Sequence, residues 1–274
     1  MTLLVLADRT DETAARFAEF AESQGVETAV TDGFDRVGIT VNVGRDRRCT
    51  CVVLVDGLPA TGVFSRGRVG IATPDSPATP DSPATQCSSA AQFASDEQYA
   101  ALWSALALWP GPVINRPSAH GYPARLDPLE LAAAAPGIRA SGTITNGHDV
   151  PGNYAYRLTD WEPVGASAIA PHDVVHITEV NEKQLHRLVF AGRRTFAITE
   201  SDQGSDLTPH AVHLDRIRRW LQSKLVDFAV ITVGLPGTSG GAFQVFEAST
   251  WTHHSQFEPV EEQVYAALLE ALRR

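Results

Sequence analysis

The chain has 274 residues, 43% of them apolar and 20% charged, with a formal net charge of −10. That length suits one large domain or two small ones, and the acidity argues against a non-specific grip on nucleic acid or on anionic membrane. No apolar run approaches the ~20 residues of a membrane-spanning helix, and three cysteines do not make a disulfide framework.

The opening "MTLLVLADRT" lacks a basic n-region and turns polar at once, so it reads as a first strand and not as a signal peptide. "DETAARFAEFAESQG" follows with Ala14, Phe17, Phe20 and Ala21 near helical spacing and Gly25 as a stop. "VETAV", "VGITVNV", "CTCVVLVDG" and "ATGVFSRG" read as strands between charged or Gly/Pro turns. Cys49 and Cys51 share a strand face and do not easily bond each other. The C-x-C is a weak metal motif without a second Cys or Cys-His pair nearby. Reduced thiols fit a cytoplasmic location.

Residues 73–84 are the hexapeptide TPDSPA written twice. Four prolines and two Asp-Ser pairs cannot build a core, so 73–85 is expected as an exposed loop. "SSAAQFASDEQYAALWSALALWPGP" reads as a helix capped by Ser88 or Ser89, with Phe93, Leu102, Leu106 and Trp109 on its buried side. "VINRP" is a short strand entering a Pro-rich elbow, which sets the expected boundary between units 1–117 and 118–274. A helix from about Pro128 and a strand through "GIRASGTITNG" follow. "NYAYRL" and "DVVHITEV" read as strands, and "HRLVFAGRRTFAIT" as a hairpin turning at Gly192. In "HLDRIRRWLQSKL", helical spacing puts Leu214, Ile217, Leu221 and Leu225 on one stripe. "VDFAVITVG" and "GAFQVFEAS" are two buried strands, and "VEEQVYAALLEALRR" is a terminal helix. The fold class is α/β.

Over roughly residues 86–274 this order resembles the ATP-grasp ligases that modify ribosomally made peptides, the microviridin or graspetide maturases. "FASDEQYAALWSALALWPGPVINRP" is similar to the family's join between its first domain and its ATP-grasp part. "HRLVFAGRRTFAIT" resembles its hairpin, and "LVDFAVITVG" with "GGAFQVFEAS" its last two core strands. The resemblance implies a pre-ATP-grasp-like N-terminal domain and an ATP-grasp-like C-terminal domain. It also implies chemistry in which a carboxylate is activated as an acyl phosphate, with two lysines, a glycine-rich loop and a magnesium-binding acid on one strand facing Glu-x-Asn on the next.

The sequence departs from that pattern at each of these places. The first lysine region offers Asp127, which repels phosphate, and the second offers Arg157, which places its charge differently. The covering loop has only Gly165. Thr232 stands where the first acid belongs, and Ser249 replaces the Asn after Glu247. One carboxylate with a serine is a poor magnesium site. The expected C-terminal domain is thus a reduced ATP-grasp, with no cofactor, no metal, no catalytic residue and Glu247 as a vestige.

His253 and His254 lie near Glu247 in sequence, but neighbouring residues on an extended chain point opposite ways, so no shared ion is expected there. "GTSGG" at 237–241 reads as a hairpin turn rather than a phosphate cradle. In the resembling ligases the leader part of the precursor peptide docks on the helix corresponding to 213–225 and on the hairpin before it. The resemblance therefore assigns peptide binding to Arg187, Arg193 and Arg194 on the hairpin and to Asp215, Arg218, Arg219, Trp220 and Gln222 on the helix. Arg and Trp are frequent interface anchors. The expected function is non-catalytic recognition of a ribosomal precursor peptide, presented to the other enzymes of a crocagin-like pathway. An active ATP-dependent carboxylate–amine ligase with an atypical site is the alternative. The family's homodimers suggest one here, through the helix 92–109. Neither nucleic acid nor membrane is an expected partner.

Overall fold

The computed structural model describes residues 2–8, 10–32, 36–45, 49–66, 97–118, 124–140, 143–145, 154–157, 175–178, 185–199, 208–235 and 243–274. The apolar run Thr2–Leu6 forms β1, buried along its whole length, as a central strand of a parallel sheet must be. β1 pairs in parallel with β2 (Glu27–Thr31) on one side and with β6 (Gly62–Ser65) on the other. β7 (Val113–Ile114) extends the order to β2-β1-β6-β7. Helix α1 (Glu12–Ser23) crosses from β1 to β2 and buries Ala14, Phe17, Ala18 and Ala21. Its N-cap is Asp11, whose carboxylate accepts from the Ala14 amide at 3.0 Å.

β3 (Val37–Val43), β4 (Cys49–Val55) and β5 (Leu58–Pro59) make an antiparallel side sheet. Cys51 is buried while Cys49 is exposed at the strand's start. Residues 97–108 form helix α2, which packs Leu102, Ala105 and Leu106 against Cys51, Val53 and Val63. The TPDSPA repeat, the serine caps and Phe93 lie outside the described residues.

The "INRP" elbow stitches the two halves together. Asn115 takes a positive φ of 56°, a conformation asparagine tolerates. Its side chain donates to the Phe228 carbonyl at 2.9 Å and accepts from the Asp227 and Phe228 amides at 3.0 and 2.9 Å. Arg116 donates to the carbonyls of Leu106, Trp109 and Gly111 at 2.8, 2.6 and 2.5 Å, closing the C-terminus of α2. Burial lowers the Arg116 pKa and raises that of Asp227, and each charge partly offsets the other's shift.

Asp127 caps helix α3 (Pro128–Ala134), accepting from the Leu129 amide at 2.8 Å, with Pro128 in the first turn. The expected single strand after it divides between two sheets. β8 (Ile138–Ala140) joins a five-stranded sheet, while β9 (Thr143–Thr145) joins β11 (Val175–Thr178) and β10 (Tyr154–Arg157). The five-stranded order is β13-β12-β14-β15-β8. Its hairpin, β12 (Leu185–Ala191) and β13 (Arg194–Thr199), turns through Gly192 at φ +54°, a conformation that favours glycine at the first turn position. β14 (Phe228–Gly234) and β15 (Phe243–Ser249) pair antiparallel with a bulge between Thr232 and Val233.

Alternation sorts this sheet's side chains into two cores. Leu188, Phe190, Ala229, Ile231 and Val245 pack under helix α4 (Ala211–Ser223). Val189, Ala191, Phe228 and Val230 pack with helix α5 (Glu261–Leu272) and continue into Leu3, Val5, Phe17 and Phe64 of the first unit. One core therefore spans the expected boundary. The apolar stripe of α4 differs from the expected one. It runs through Ile217, Trp220 and Leu221, with Leu214 half-buried. The helix ends at Ser223, so Leu225 lies beyond it at φ 58° and is 45% exposed. Lys224 is buried and pairs with Glu130 at 2.7 Å, its ammonium 5.4 Å from the Trp220 ring centre.

Candidate functional site

The register of β12, β14 and β15 sets Arg187, Thr232 and Glu247 side by side in one row. Thr232 and Glu247 are the positions that the resemblance gives to two magnesium-binding acids. The Thr232 hydroxyl, 3.3 Å from Glu247 Oε2, replaces the first of them. The Ser249 hydroxyl is taken up in a tight turn, donating to the Trp251 carbonyl and accepting from its amide, both at 3.0 Å. Asp127 is spent as a helix cap. Among the described residues, one carboxylate with two occupied hydroxyls does not fit a magnesium–nucleotide site, because magnesium needs several hard oxygen ligands. Arg157 belongs to β10, while Gly165 lies outside the described residues.

The residues assigned to peptide binding do not form one patch. Arg187 shares a strand face with Val189 and Ala191, and Arg194 pairs directly with Ala191, so both arginines lie on the α5 side of the sheet. Arg194 there reaches Glu270 of α5 at 3.4 Å. Asp215, Arg218, Arg219 and Gln222 are on α4, which covers the opposite side. Arg219 pairs with Asp215 one turn earlier, and both are exposed. Arg218 bridges the two elements, donating to the Arg193 carbonyl and, at 2.5 Å, to the Thr195 hydroxyl. Trp220 is not an exposed anchor. It is 6% exposed, because it occupies the apolar stripe that Leu225 leaves vacant, and its indole N–H finds no partner among the described residues. What this surface offers a partner is the outer row of α4 and, among the described strands, the unpaired edge of β13.

A third place was not legible as a site. The first sheet reverses direction of growth between β1 and β6, and ligands of open parallel sheets bind in the crevice beyond the strands' carboxyl ends at such a point. Here that crevice is a cleft of about 280 Å³ lined by Asp8, Thr10, Asp11, Glu12, Arg66, Trp251 and His253. Arg66 and Asp11 form a salt bridge of 2.9 Å with side chains 3% and 6% exposed. The guanidinium also lies 5.1 Å from the Trp251 ring centre. The chain after β15 thus returns to the mouth of the first sheet, where the Thr13 hydroxyl donates to the Thr252 carbonyl at 3.2 Å.

His253 lines this cleft and His254 lies buried beside it, their rings turned together, contrary to the expectation for an extended chain. A short 3-10 turn begins at His254, and the rings converge with centres 4.3 Å apart. Their shared partner is Glu12, not Glu247. Glu12 Oε2 lies 2.9 Å from His254 Nε2 and 3.5 Å from His253 Nε2. The hydrogen bond from His254 holds the Glu12 carboxyl below its ordinary pKa, and the charges of His253, His254 and Arg16 act in the same direction.

No protein-family model and no curated protein sequence matches the chain. Solved structures do. Macrocyclase MdnC bound with precursor peptide MdnA, from Microcystis aeruginosa MRC, superposes with a TM-score of 0.64 over 99% of this chain and 100% of that one, at 14% identity. ATP-grasp ligase PsnB, complexed with a phosphomimetic variant of a minimal precursor, Mg and ADP, gives 0.64 over 98% of each chain at 16% identity. The Chryseobacterium gregarium RiPP-associated ATP-grasp ligase, in complex with ADP and a leader and core peptide, gives 0.61 over 99% and 96% at 12% identity. The chain therefore has the graspetide-type ATP-grasp fold, from the first parallel sheet to the terminal helix.

Proposed function

We propose that this protein binds a ribosomal precursor peptide without ligating it, and presents the peptide to the other enzymes of its pathway. The observation that carries this reading is that Thr232 and Ser249, at positions the resemblance gives to metal ligands, are hydroxyls that are already engaged. The peptide occupies the edge of β13 and the outer row of α4. An extended segment adds main-chain hydrogen bonds to the edge strand. Arg193, Arg218 and Arg219 give this surface a positive character against the chain's net charge of −10, which suits an acidic leader segment. Trp220 supports the surface from beneath. A homodimer through α2 fits the exposure of Trp103 (38%) and Leu108 (54%) on that helix.

Calorimetric titration of the full chain tests the proposal, with ATP–magnesium in one arm and candidate precursor peptides in the other. Saturable peptide binding without nucleotide binding is expected. The double variant Arg218→Ala/Arg219→Ala should weaken the peptide at least ~10-fold while circular dichroism stays unchanged. Peptide-dependent ATP consumption would replace this reading with that of an atypical ligase.

A further inference from the structure

We infer that Glu12, His253 and His254 form a binding site for a first-row divalent metal ion of the zinc type, which clamps the start of α1 to the chain following β15. The three side chains place ligand atoms within 4.8 Å of one another. Two ligands on one tetrahedral zinc, each bonded at about 2.0–2.1 Å, sit roughly 3.3 Å apart. The observed separations from Glu12 Oε2, 2.9 and 3.5 Å, bracket that value. Imidazole nitrogen with one carboxylate is a donor set that suits zinc, copper or nickel rather than magnesium.

The surroundings fit as well as the ligands. A metal-bound imidazole presents its other nitrogen as a donor, usually to a carboxylate or hydroxyl that fixes the ring. His253 Nδ1 lies 2.8 Å from the Ser255 hydroxyl and accepts from the Ser255 amide at 3.3 Å; a metal on Nε2 moves the proton to Nδ1, which then donates to the hydroxyl in place of the amide contact. His254 is only 10% exposed, and its Nδ1 is buried without a hydrogen-bond partner among the described residues. The nearest carboxylate oxygen in the direction of that nitrogen is Glu261 Oε1, at 3.8 Å. Glu261 is itself held, accepting from Tyr265 at 3.0 Å and Arg16 at 3.3 Å. A metal on His254 Nε2 puts the proton on Nδ1, facing this anchored carboxylate. Glu12 and His253 are exposed on their outer sides, so an ion has a path in, and its remaining positions face the cleft and take water.

The site joins residues about 240 apart in sequence, so its occupancy is expected to stabilise the fold by mass action. It does not rest on the peptide-binding reading. The test is calorimetric titration of the chelator-treated full chain with zinc sulfate, followed by Co²⁺ as a spectroscopic substitute. One ion per chain is expected, with a visible d–d band for Co²⁺. At a hundredfold excess over Kd, zinc should raise the melting temperature by roughly 5 °C. Glu12→Ala and His253→Ala each remove an exposed side chain and leave the fold intact. Each should weaken zinc at least ~10-fold and abolish the Co²⁺ band, whereas Glu247→Ala should change neither. Absence of saturable zinc binding overturns the proposal. So does binding that survives in the Glu12→Ala/His253→Ala double variant.

Discussion

Glu247 and Glu12 are two carboxylates whose surroundings differ in kind. Glu247 sits on β15 beside the Thr232 hydroxyl, at a position that a family resemblance marks for metal. Glu12 sits in the first turn of α1, marked by nothing in the sequence, yet two imidazoles converge on it. At one site the fold sets a single carboxylate between hydroxyls. It has collected a set of nitrogen and oxygen donors at the other. A motif locates where a fold can hold chemistry, whereas the donor set decides what is held there.

The largest expected effect breaks the Glu12 side of this contrast at its base. Asp11 caps α1, next to Glu12, and forms the buried pair with Arg66. Asp11→Ala leaves a guanidinium buried without its partner, which typically costs about 3–5 kcal/mol, with a further ~1 kcal/mol for the lost cap. Urea unfolding should show this loss directly. A loss under ~1 kcal/mol would mean that water reaches Arg66 and that the cleft is looser than described. Trp220→Ala should come next. A large side chain in a well-packed core costs about 3–5 kcal/mol, without the added cap. Its effect on a bound peptide should follow from that loss of stability rather than from a lost contact.

Trp220 also shows how far the sequence carried. Elements with a clean period were legible: β1 and β14 as continuous apolar runs, α1 and α5 as amphipathic helices, the hairpin at Gly192. The α4 stripe was read one residue off at its end, because the period alone does not mark where a helix stops. That residue moved Trp220 from surface to core and Leu225 from core to solvent. The caps were legible in type: Asp-Pro before α3 is a helix-start signal, and it accounts for Asp127 as a cap rather than as a charge facing phosphate. The Glu12 cluster was beyond reach. It joins the ends of the chain, and it depends on a 3-10 turn at His254 that brings together side chains an extended chain would separate.

A pH titration separates the two cores with a smaller effect. His186 and His213 lie on the α4 side of the large sheet. Burial pushes both pKa values below the ordinary 6.5, helped by His210 for His186 and by Arg216 and His210 for His213. Their folded-state values are depressed, so their contribution to stability is complete above pH 6.5 and is lost as pH falls through the lower folded values. The melting temperature should therefore drop as pH falls below about 6.5. His186→Gln should flatten that part of the profile. An unchanged profile in this variant would assign the acid sensitivity to other groups.

The smallest expected effect belongs to Glu247. Its side chain is half-buried, and the contact with the Thr232 hydroxyl is long at 3.3 Å. Glu247→Ala removes a half-buried side chain without emptying either core, so its cost should be near the ~1 kcal/mol of an ordinary single substitution. The row it occupies with Thr232 and Arg187 faces away from α4, so peptide held on α4 and the β13 edge should be retained with affinity changed less than ~3-fold. A working ATP-grasp site gives the opposite result, because removing a metal-binding carboxylate from phosphoryl transfer abolishes turnover. Side-by-side assays of stability, peptide affinity and ATP consumption on this one variant therefore decide whether β15 carries a scaffold or a live centre. Loss of ATP-dependent activity with peptide affinity intact is the outcome that would return Glu247 to catalysis.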